Sequence, residues 1–281
     1  MKYIYILLTL ILYLSPLPSM AEAPFITADA AVIMDGKTGE ILYEKNGNKR
    51  GYPASMTKIM TAILAIEKGN PYKTVVVSRN AADVESTALN GGEWLTLGDL
   101  ENQMMLISDN GAATAIAENI AGSLPAFTDM MNEKAKSLGM NGTHFTNANG
   151  MPDENHYSTA MDMAKLARYA MENKKFRTLV STKYKKIRYQ KPVEIFSVSN
   201  SNQLLYTYKG ATGIKTGYTR AAAGCLAASA IRDNRELIVI IMHSKDWDSR
   251  FREAALLLDY GFEMIEKEMV HESSSTVVFN P

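Results

Sequence analysis

The 281-residue sequence predicts a mixed α/β fold of the α+β type, in which an antiparallel sheet is flanked by helices and carries an inserted all-helical lobe. Two observations lead to this prediction. Apolar residues recur with the period of strands near both ends of the chain, and with the period of amphipathic helices in its middle. The composition, with 46% hydrophobic and 21% charged residues, is that of an ordinary globular protein.

The first strands are predicted to form a β-hairpin. Apolar runs over 30–34 and 41–43 flank a turn over 35–39 that contains two glycines. Apolar runs around a glycine-rich turn are typical of a hairpin. The first long helix is predicted over 56–68, because its apolar residues recur with the helical period.

The middle of the chain is predicted to be helical. Four further segments have the helical period, at 100–106, 112–121, 125–138 and 159–173. Asn110–Gly111 is a strong break between the first two of these helices, and a polar loop over 141–157 precedes the last. Thr159 and Asp162 resemble a capping box, which favours a helix start at that point.

The last third of the chain returns to the strand period. Three strands and a closing helix are predicted, at 213–219, 223–231, 236–244 and 251–262. We expect these strands to join the N-terminal hairpin in one antiparallel sheet. The expected boundaries are one domain over 24–265 and a C-terminal tail over 266–281, with no second β-rich domain.

The N-terminal segment has the order of a secretory signal peptide. Lys2 precedes an apolar run over 3–14, and small residues follow around Ala21. The alternative, a membrane anchor, is disfavoured because a spanning helix needs about 20 apolar residues. We expect a signal peptide over 1–21, cleavage after Ala21, and a mature protein that is extracytoplasmic, either secreted or periplasmic.

The charge balance and the cysteine and histidine content exclude several classes of protein. Thirty basic and 30 acidic residues give no net charge, which argues against a nucleic-acid partner. Cys225 is the only cysteine, so an intrachain disulfide framework is excluded, and we interpret it as a packing residue. The four histidines lack paired-ligand spacing, so we expect neither a metal nor a cofactor.

The first candidate for chemistry is a serine followed three residues later by a lysine. Ser55 and Lys58 lie at the start of the first long helix, where this spacing puts both side chains on one face. A serine hydroxyl needs a base to become a nucleophile, and a buried lysine with a lowered pKa can be that base. The pair alone is equally compatible with a simple helix cap.

Two further motifs are weak when taken singly. Ser108-Asp109-Asn110 is compatible with an ordinary turn. Lys215-Thr216-Gly217 lies on a predicted strand, where the lysine can hold a carboxylate and the glycine allows a close backbone approach. An edge-strand lysine that prevents aggregation is the alternative. A second Lys-Thr-Gly begins at Lys37 in the hairpin turn, and we interpret Lys37 as a solvated turn residue.

Together, and in this order, the three motifs resemble the signature of the penicillin-interacting serine enzymes. The chain resembles the serine D-alanyl-D-alanine carboxypeptidases, the low-molecular-mass penicillin-binding proteins. The resemblance runs from about Ala30 to Phe262. It includes Pro-Ala-Ser-Met-Thr-Lys at 53–58, Asn-His-Tyr-Ser-Thr-Ala at 155–160 and Leu-Leu-Asp-Tyr-Gly-Phe at 257–262. It implies the fold shared by DD-peptidases and β-lactamases.

The resemblance also implies a role for each residue of the first two motifs. Ser55 would attack the carbonyl of the penultimate D-alanine of a peptidoglycan stem peptide and become acylated, with Lys58 as its general base. Ser108 would relay a proton to the leaving amine. Asn110 would hold substrate amides and position Lys58. β-Lactam antibiotics would acylate the same serine as covalent inhibitors.

The resemblance assigns the remaining candidates to substrate binding. Lys215 and Thr216 would bind the terminal carboxylate, supported by Arg250. The backbone N–H groups of Ser55 and Tyr218 would form the oxyanion hole. Tyr218 stands where relatives often have histidine, and Arg252 lies close enough to Arg250 to compete for that assignment.

Several functions remain open at this point. The leading prediction is a carboxypeptidase that trims stem peptides during cell-wall biogenesis. A D,D-endopeptidase, a weak β-lactamase and a non-catalytic penicillin-binding wall sensor are the alternatives. The segment between Asn110 and Lys215 has no Glu-x-x-Leu-Asn, the motif that class A β-lactamases use for deacylation, so slow release of penicillin is expected. The sequence indicates no oligomeric state.

Overall fold

The computed structural model describes residues 22–276 of the chain. Its elements follow one another along the sequence as β1 (Ala30–Asp35), β2 (Ile41–Lys45), a 3₁₀ turn (Ala54–Thr57), α1 (Lys58–Lys68), β3 (Thr74–Val76), α2 (Arg79–Ala82), β4 (Trp94–Thr96), α3 (Leu97–Leu106), α4 (Asn110–Ala121), α5 (Leu124–Ser137), α6 (Ala160–Glu172), α7 (Lys174–Ser181), β5 (Tyr184–Lys191), β6 (Glu194–Ser199), α8 (Leu204–Thr207), β7 (Ala211–Thr219), β8 (Ala223–Arg232), β9 (Arg235–Ser244) and α9 (Ser249–Thr276).

A five-stranded sheet is built from both ends of the chain, as the sequence predicts. Its strand order is β2-β1-β9-β8-β7, and all neighbouring strands are antiparallel. β1 joins the N-terminal hairpin to the C-terminal strands, with Ile33 opposite Val239. The mixed α/β architecture with an antiparallel sheet and flanking helices is therefore confirmed.

Helices cover both faces of this sheet. Because side chains alternate along a strand, Ile33 and Val239 pack in a cluster with α9, while Val32 and Ile240 pack in the larger cluster on the other face. α1 runs through that larger cluster, and its first eight residues are all buried. The 3₁₀ turn before α1 contacts β7 and β8. The start of α1 is therefore held against the edge of the sheet.

The inserted lobe is not all-helical, and this part of the prediction is wrong. A second sheet with the order β3-β4-β5-β6 lies within it. β3 and β4 have three residues each, too few to show a period. In β5 only Ile187 and Tyr189 are buried, and the other positions are mostly charged. The sequence of β5 therefore lacks the regular alternation of apolar and polar residues from which a strand is predicted. α7 was not predicted either.

The C-terminal helix is longer than predicted. α9 continues to Thr276, so residues 266–276 of the expected tail are helical. No glycine or proline interrupts this segment, and Lys267 forms an i,i+4 ion pair with Glu263 at 2.8 Å. Residues 277–281 and the predicted signal peptide at 1–21 lie outside the described residues. None of the described helices combines the length and the hydropathy needed to cross a bilayer.

Candidate active site

Ser55 lies on the 3₁₀ turn, where it is the residue that reaches solvent. Ala54, Met56 and Thr57 are buried, and Ser55 is partly exposed. Ala54 has a φ of +48°, which is uncommon for a residue with a side chain. Gly150 packs against it so closely that a Cβ at that position would overlap the Ala54 carbonyl oxygen. The turn is thus held in a backbone conformation that presents the serine.

Lys58 is fully buried directly beneath this serine. Its Nζ lies 2.9 Å from Ser55 Oγ, 2.6 Å from Asn110 Oδ1 and 2.6 Å from the backbone oxygen of Asn149. The hydroxyl therefore contacts the amine, and Ser55 caps no helix. The reading of Ser55 and Lys58 as a simple cap does not describe this structure, since the turn and α1 have no side-chain cap.

Burial makes Lys58 a base near neutral pH. Desolvation lowers its pKa from 10.5 to about 7, and the negative charge of Asp109 only partly opposes this shift. A neutral amine has two N–H donors and one lone pair. Asn110 Oδ1 and Asn149 O can only accept hydrogen bonds, so they take the two donors. The lone pair is left for the hydroxyl of Ser55.

A buried carboxylate organises the loop that carries Ser108 and Asn110. Asp109 caps α4 by accepting from Ala112 N, and it also accepts from Thr87, Ala88 N and Gln103. These four bonds fix the start of α4. Asn110, one residue later, is thereby aimed at Lys58, and its Nδ2 donates to Glu85 O at 2.8 Å.

Ser108 adjoins this loop with a strained backbone. Its φ is +65°, it is partly exposed, and it lies two residues before Asn110. No hydrogen bond of its side chain is found among the described residues, so the structure places it beside the cluster without joining it to Lys58. The role of Ser108 remains a prediction.

The opposite wall of the site is strand β7. Lys215 and Thr216 are buried, and Thr216 Oγ1 lies 2.8 Å from Ser201 Oγ. Gly217 faces the serine turn, where an added Cβ would lie 3.2 Å from Ala54 Cβ. The glycine thus allows the strand to approach the 3₁₀ turn closely.

The basic groups of Lys58, Lys215 and Arg250 lie close enough together at this wall to affect one another. Burial lowers the pKa of Lys215 well below its usual value, and the positive charges of Lys58 and Arg250 lower it further. Within the described residues, the Nζ of Lys215 has only Thr216 O and Oγ1 as acceptors, at 3.1 and 3.4 Å. An anionic ligand bound here would favour the charged forms of these basic groups, so the wall is suited to bind one.

Arg250 supports β7 from behind. It is fully buried, and its Nη1 donates to Gly217 O at 2.5 Å. Its Cζ lies 3.9 Å from the ring centroid of Trp247, which in turn packs edge-on against Tyr218 at 5.4 Å. Nε and Nη2 of Arg250 have no partner among the described residues. Burial lowers its pKa to about 10.

The structure therefore joins most of the residues predicted from sequence. Ser55, Lys58 and Asn110 are in direct contact, and Lys215, Thr216, Gly217 and Arg250 form the facing wall. Tyr218 lies at the end of this wall and is half-exposed. These are placements, and the chemical role of each residue remains a prediction.

The predicted bystanders lie away from this cluster. Lys37 is exposed in the β1–β2 turn, where Asp35 accepts from its backbone N–H. Arg252 is paired with Asp246 at 4.0 Å and with Ser249. Cys225 is buried behind Gly217, and burial raises the pKa of its thiol to about 11. The described residues contain no group of three or more potential metal ligands.

Several contributors carried no signal in the sequence. Asn149 acts through its backbone carbonyl, which any residue could supply. Ser201 reaches Thr216 from a loop after β6. His156 lies 2.8 Å from Thr57 Oγ1, and since Thr146 N donates to its Nδ1, its Nε2 carries the proton. Burial lowers the pKa of this histidine to about 4, so it holds the turn as a neutral ring.

Comparison with known proteins gives consistent similarities. The peptidase S11 family, described as D-alanyl-D-alanine carboxypeptidase, matches residues 18–246. D-alanyl-D-alanine carboxypeptidase DacF of Bacillus subtilis is 35% identical over 257 residues, which are 89% of this chain and 66% of that protein. DacC of Escherichia coli is 32% identical over 268 residues, covering 87% and 64%. The chain thus spans just under two thirds of the length of these curated relatives.

Solved structures show the same similarity in three dimensions. The Streptomyces K15 DD-transpeptidase superposes with a TM-score of 0.82 at 31% identity, covering 86% of this chain and 99% of that one. A D-alanyl-D-alanine carboxypeptidase of Mycobacterium tuberculosis H37Rv gives a TM-score of 0.82 at 27% identity, covering 88% and 95%. The overall fold is therefore shared with both structures.

Proposed function

Because this chain belongs to the D-alanyl-D-alanine carboxypeptidase family, we propose that it is a serine hydrolase that removes the terminal D-alanine from peptidoglycan stem peptides. One observation carries the proposal. The Ser55 hydroxyl contacts a buried lysine whose pKa is lowered to about 7, and the facing wall carries the basic groups of Lys215 and Arg250. An activated hydroxyl beside an anion-binding wall suits a peptide that ends in a carboxylate.

The first step is acylation of Ser55. Its Oγ attacks the carbonyl carbon of the penultimate D-alanine while Lys58 accepts the hydroxyl proton. A Ser55 ester forms, the amide C–N bond breaks, and the amine of the terminal D-alanine leaves with a proton. Ser108 relays that proton from Lys58, consistent with its place beside Asn110. Asn110 keeps the amine of Lys58 oriented through the 2.6 Å bond.

Substrate recognition falls to β7. Lys215 and Thr216 bind the terminal carboxylate, and Arg250 adds positive charge while fixing the Gly217 carbonyl. The backbone N–H groups of Ser55 and Tyr218 stabilise the developing oxyanion. The close approach of Gly217 to Ala54 supports this pairing, because it brings the two backbones to opposite sides of the same cleft.

The second step releases the product. Water attacks the ester carbonyl while Lys58 accepts a proton from that water. The bond between the carbonyl carbon and Ser55 Oγ then breaks, Lys58 returns the proton to Oγ, and the shortened peptide leaves with a new carboxylate. β-Lactams would acylate Ser55 in the same way and leave slowly, because the chain lacks the glutamate motif of class A β-lactamases. They would therefore act as covalent inhibitors.

The same proposal places the enzyme outside the cytoplasm. The leader-like segment at 1–21, with cleavage after Ala21, supports export, and a peptidoglycan substrate requires it. We propose that the mature enzyme is secreted or periplasmic and takes part in cell-wall biogenesis.

Release of D-alanine from diacetylated Lys-D-Ala-D-Ala tests this function. The wild-type chain is expected to release D-alanine, and Ser55→Ala is expected to release none. Ser137→Ala, which changes an exposed serine on α5, is the matched control and should retain full activity. Equal release by wild type and Ser55→Ala would overturn the proposal. Cleavage of cross-linked peptides alone would point to a D,D-endopeptidase.

A further inference from the structure

The second sheet exposes basic side chains that no carboxylate neutralises. Within nine residues at and before β5 there are five cations, all exposed: Lys183, Lys185, Lys186, Arg188 and Lys191. None of their side-chain nitrogens lies within 4 Å of a carboxylate oxygen in the described part of the chain; a neighbouring acid, Asp99, accepts from the backbone N–H of Arg188 at 3.4 Å. Since the whole chain has no net charge, this is a local concentration of positive charge.

The same strands expose large apolar side chains. Val193, in the turn between β5 and β6, is 87% exposed, Tyr184 is 67% exposed, and Ile195 is 60% exposed. Trp94 on β4 is also exposed, and Lys191 lies 5.2 Å above its ring. Val193 and Ile195 lie together at the β5–β6 turn, and exposed apolar residues grouped in this way are typical of a binding surface.

Lys186 and Arg188 share one face of the β5–β6 ribbon with Ile195, whereas Lys185 alternates to the other face. Arg188 pairs with Ile195 in the sheet register, and paired residues point to the same face. Ile187 and Tyr189 alternate with Arg188 and are buried, so Arg188 and Ile195 point outward. β6 is the edge of the sheet, with no further strand beyond it among the described residues.

We propose that the β5–β6 ribbon, residues 184–199, docks the enzyme on an anionic lipid membrane. Val193 and Ile195 enter the interface, Trp94 and Tyr184 lie at headgroup depth, and the cations contact the lipid phosphates. A soluble polyanion would explain the cations alone. A membrane also explains the apolar side chains, and two combined signals are what stable peripheral binding requires.

Docking would set the orientation of the active site. β6 ends at Ser199, and two residues later Ser201 contacts Thr216 on the substrate-binding wall. Ser201 N also donates to Leu106 O, at the end of the helix that precedes Ser108. The ribbon therefore leads directly into the rim of the cleft. A docked enzyme would hold that rim beside the membrane surface.

Fluorescence of a polarity-sensitive probe at the turn tests the docking. Val193→Cys is labelled in the full chain; Cys225 is buried and does not compete for the label. A probe at Ser137→Cys, on exposed helix α5, is the control position. Because both proteins carry the same N-terminal segment, any binding through that segment affects both equally. The vesicles contain phosphatidylcholine with or without 30% phosphatidylglycerol.

On vesicles that contain phosphatidylglycerol, we expect the emission of the probe at residue 193 to shift to the blue and that of the probe at residue 137 to stay unchanged. On phosphatidylcholine vesicles, neither probe should shift. Lys186→Gln/Arg188→Gln should raise the concentration of anionic lipid needed for half-maximal binding about 30-fold, whereas the exposed control pair Lys136→Gln/Lys209→Gln should leave it unchanged. All variants should release D-alanine from the tripeptide at the wild-type rate, which would confirm that they are folded. The proposal would be overturned if the probe at 193 did not shift, or if both probes shifted equally. A shift produced by soluble polyphosphate and not by vesicles would also overturn it.

Discussion

Lys58 Nζ lies 2.9 Å from Ser55 Oγ, and its other two contacts are acceptors from Asn110 and Asn149. The serine is close to the lysine in sequence, but these acceptors come from residues 52 and 91 positions away. Because both oxygens accept a hydrogen bond from Lys58 Nζ, the lone pair of the neutral amine is left for the Ser55 hydroxyl. The reactivity of Ser55 therefore depends on segments that only the folded chain brings together.

The rate of acylation should depend on pH through Lys58. Its pKa of about 7 means that the neutral, basic form increases as the pH rises through 7. We expect the rate of labelling by a fluorescent penicillin to rise about tenfold per pH unit below 7 and to level off above it. Stopped-flow measurements from pH 5.5 to 9 test this. A rate that still rises tenfold per pH unit between pH 8 and 9 would mean an unperturbed lysine.

Asn110→Asp should move this profile to higher pH. A carboxylate at the position of Oδ1, 2.6 Å from Nζ, favours the ammonium form and raises the pKa of Lys58. We expect at least a tenfold slower acylation at pH 7 and partial recovery at pH 9. Asn155→Asp adds the same charge at an exposed position and should leave the profile unchanged. An unshifted profile in Asn110→Asp would contradict the assigned contact.

The two Lys-Thr-Gly motifs offer a matched comparison. Lys215→Met removes a buried cation from the carboxylate wall, and we expect kcat/KM for the tripeptide to fall about 100-fold. Lys37→Met makes the same change on an exposed turn and should alter kcat/KM by less than twofold. Comparable losses in the two variants, measured by D-alanine release, would refute the assignment of Lys215.

Asp109→Asn should affect both stability and the base. The carboxylate accepts four hydrogen bonds, and an amide cannot accept them all, so we expect a loss of about 2–3 kcal/mol in the free energy of unfolding. Asp109 raises the pKa of Lys58, so its neutralisation should move the acylation profile to lower pH. Urea unfolding and the pH profile measure the two effects. Asp83→Asn, an exposed control, should change neither.

Much of the fold could be predicted because its apolar pattern is strong. β8 and β9 are nearly continuous apolar runs, and the helices of the lobe show a clear period. The second sheet escaped prediction because it buries few residues. β6 has no fully buried side chain, and most of β5 is polar, so neither strand alternates in the usual way.

The sequence predicts those residues of the candidate site that belong to a recognisable motif of side chains. The order of the three motifs predicted Ser55, Lys58 and Lys215, because the role proposed for each depends on its side chain. The acceptor at Asn149 is a backbone oxygen, and Ser201 and Trp247 reach the site from loops whose course depends on the whole fold. No local pattern marks such contacts.

The most direct test of this account is the position of the acyl group. The chain is incubated with benzylpenicillin, digested, and mapped by mass spectrometry, with Ser55→Ala and Ser137→Ala treated in parallel. We expect one penicilloyl group on the peptide that contains Ser55 in wild type and Ser137→Ala, and none in Ser55→Ala. An adduct on any other residue, or an equal adduct in Ser55→Ala, would contradict the assignment of Ser55 as the nucleophile.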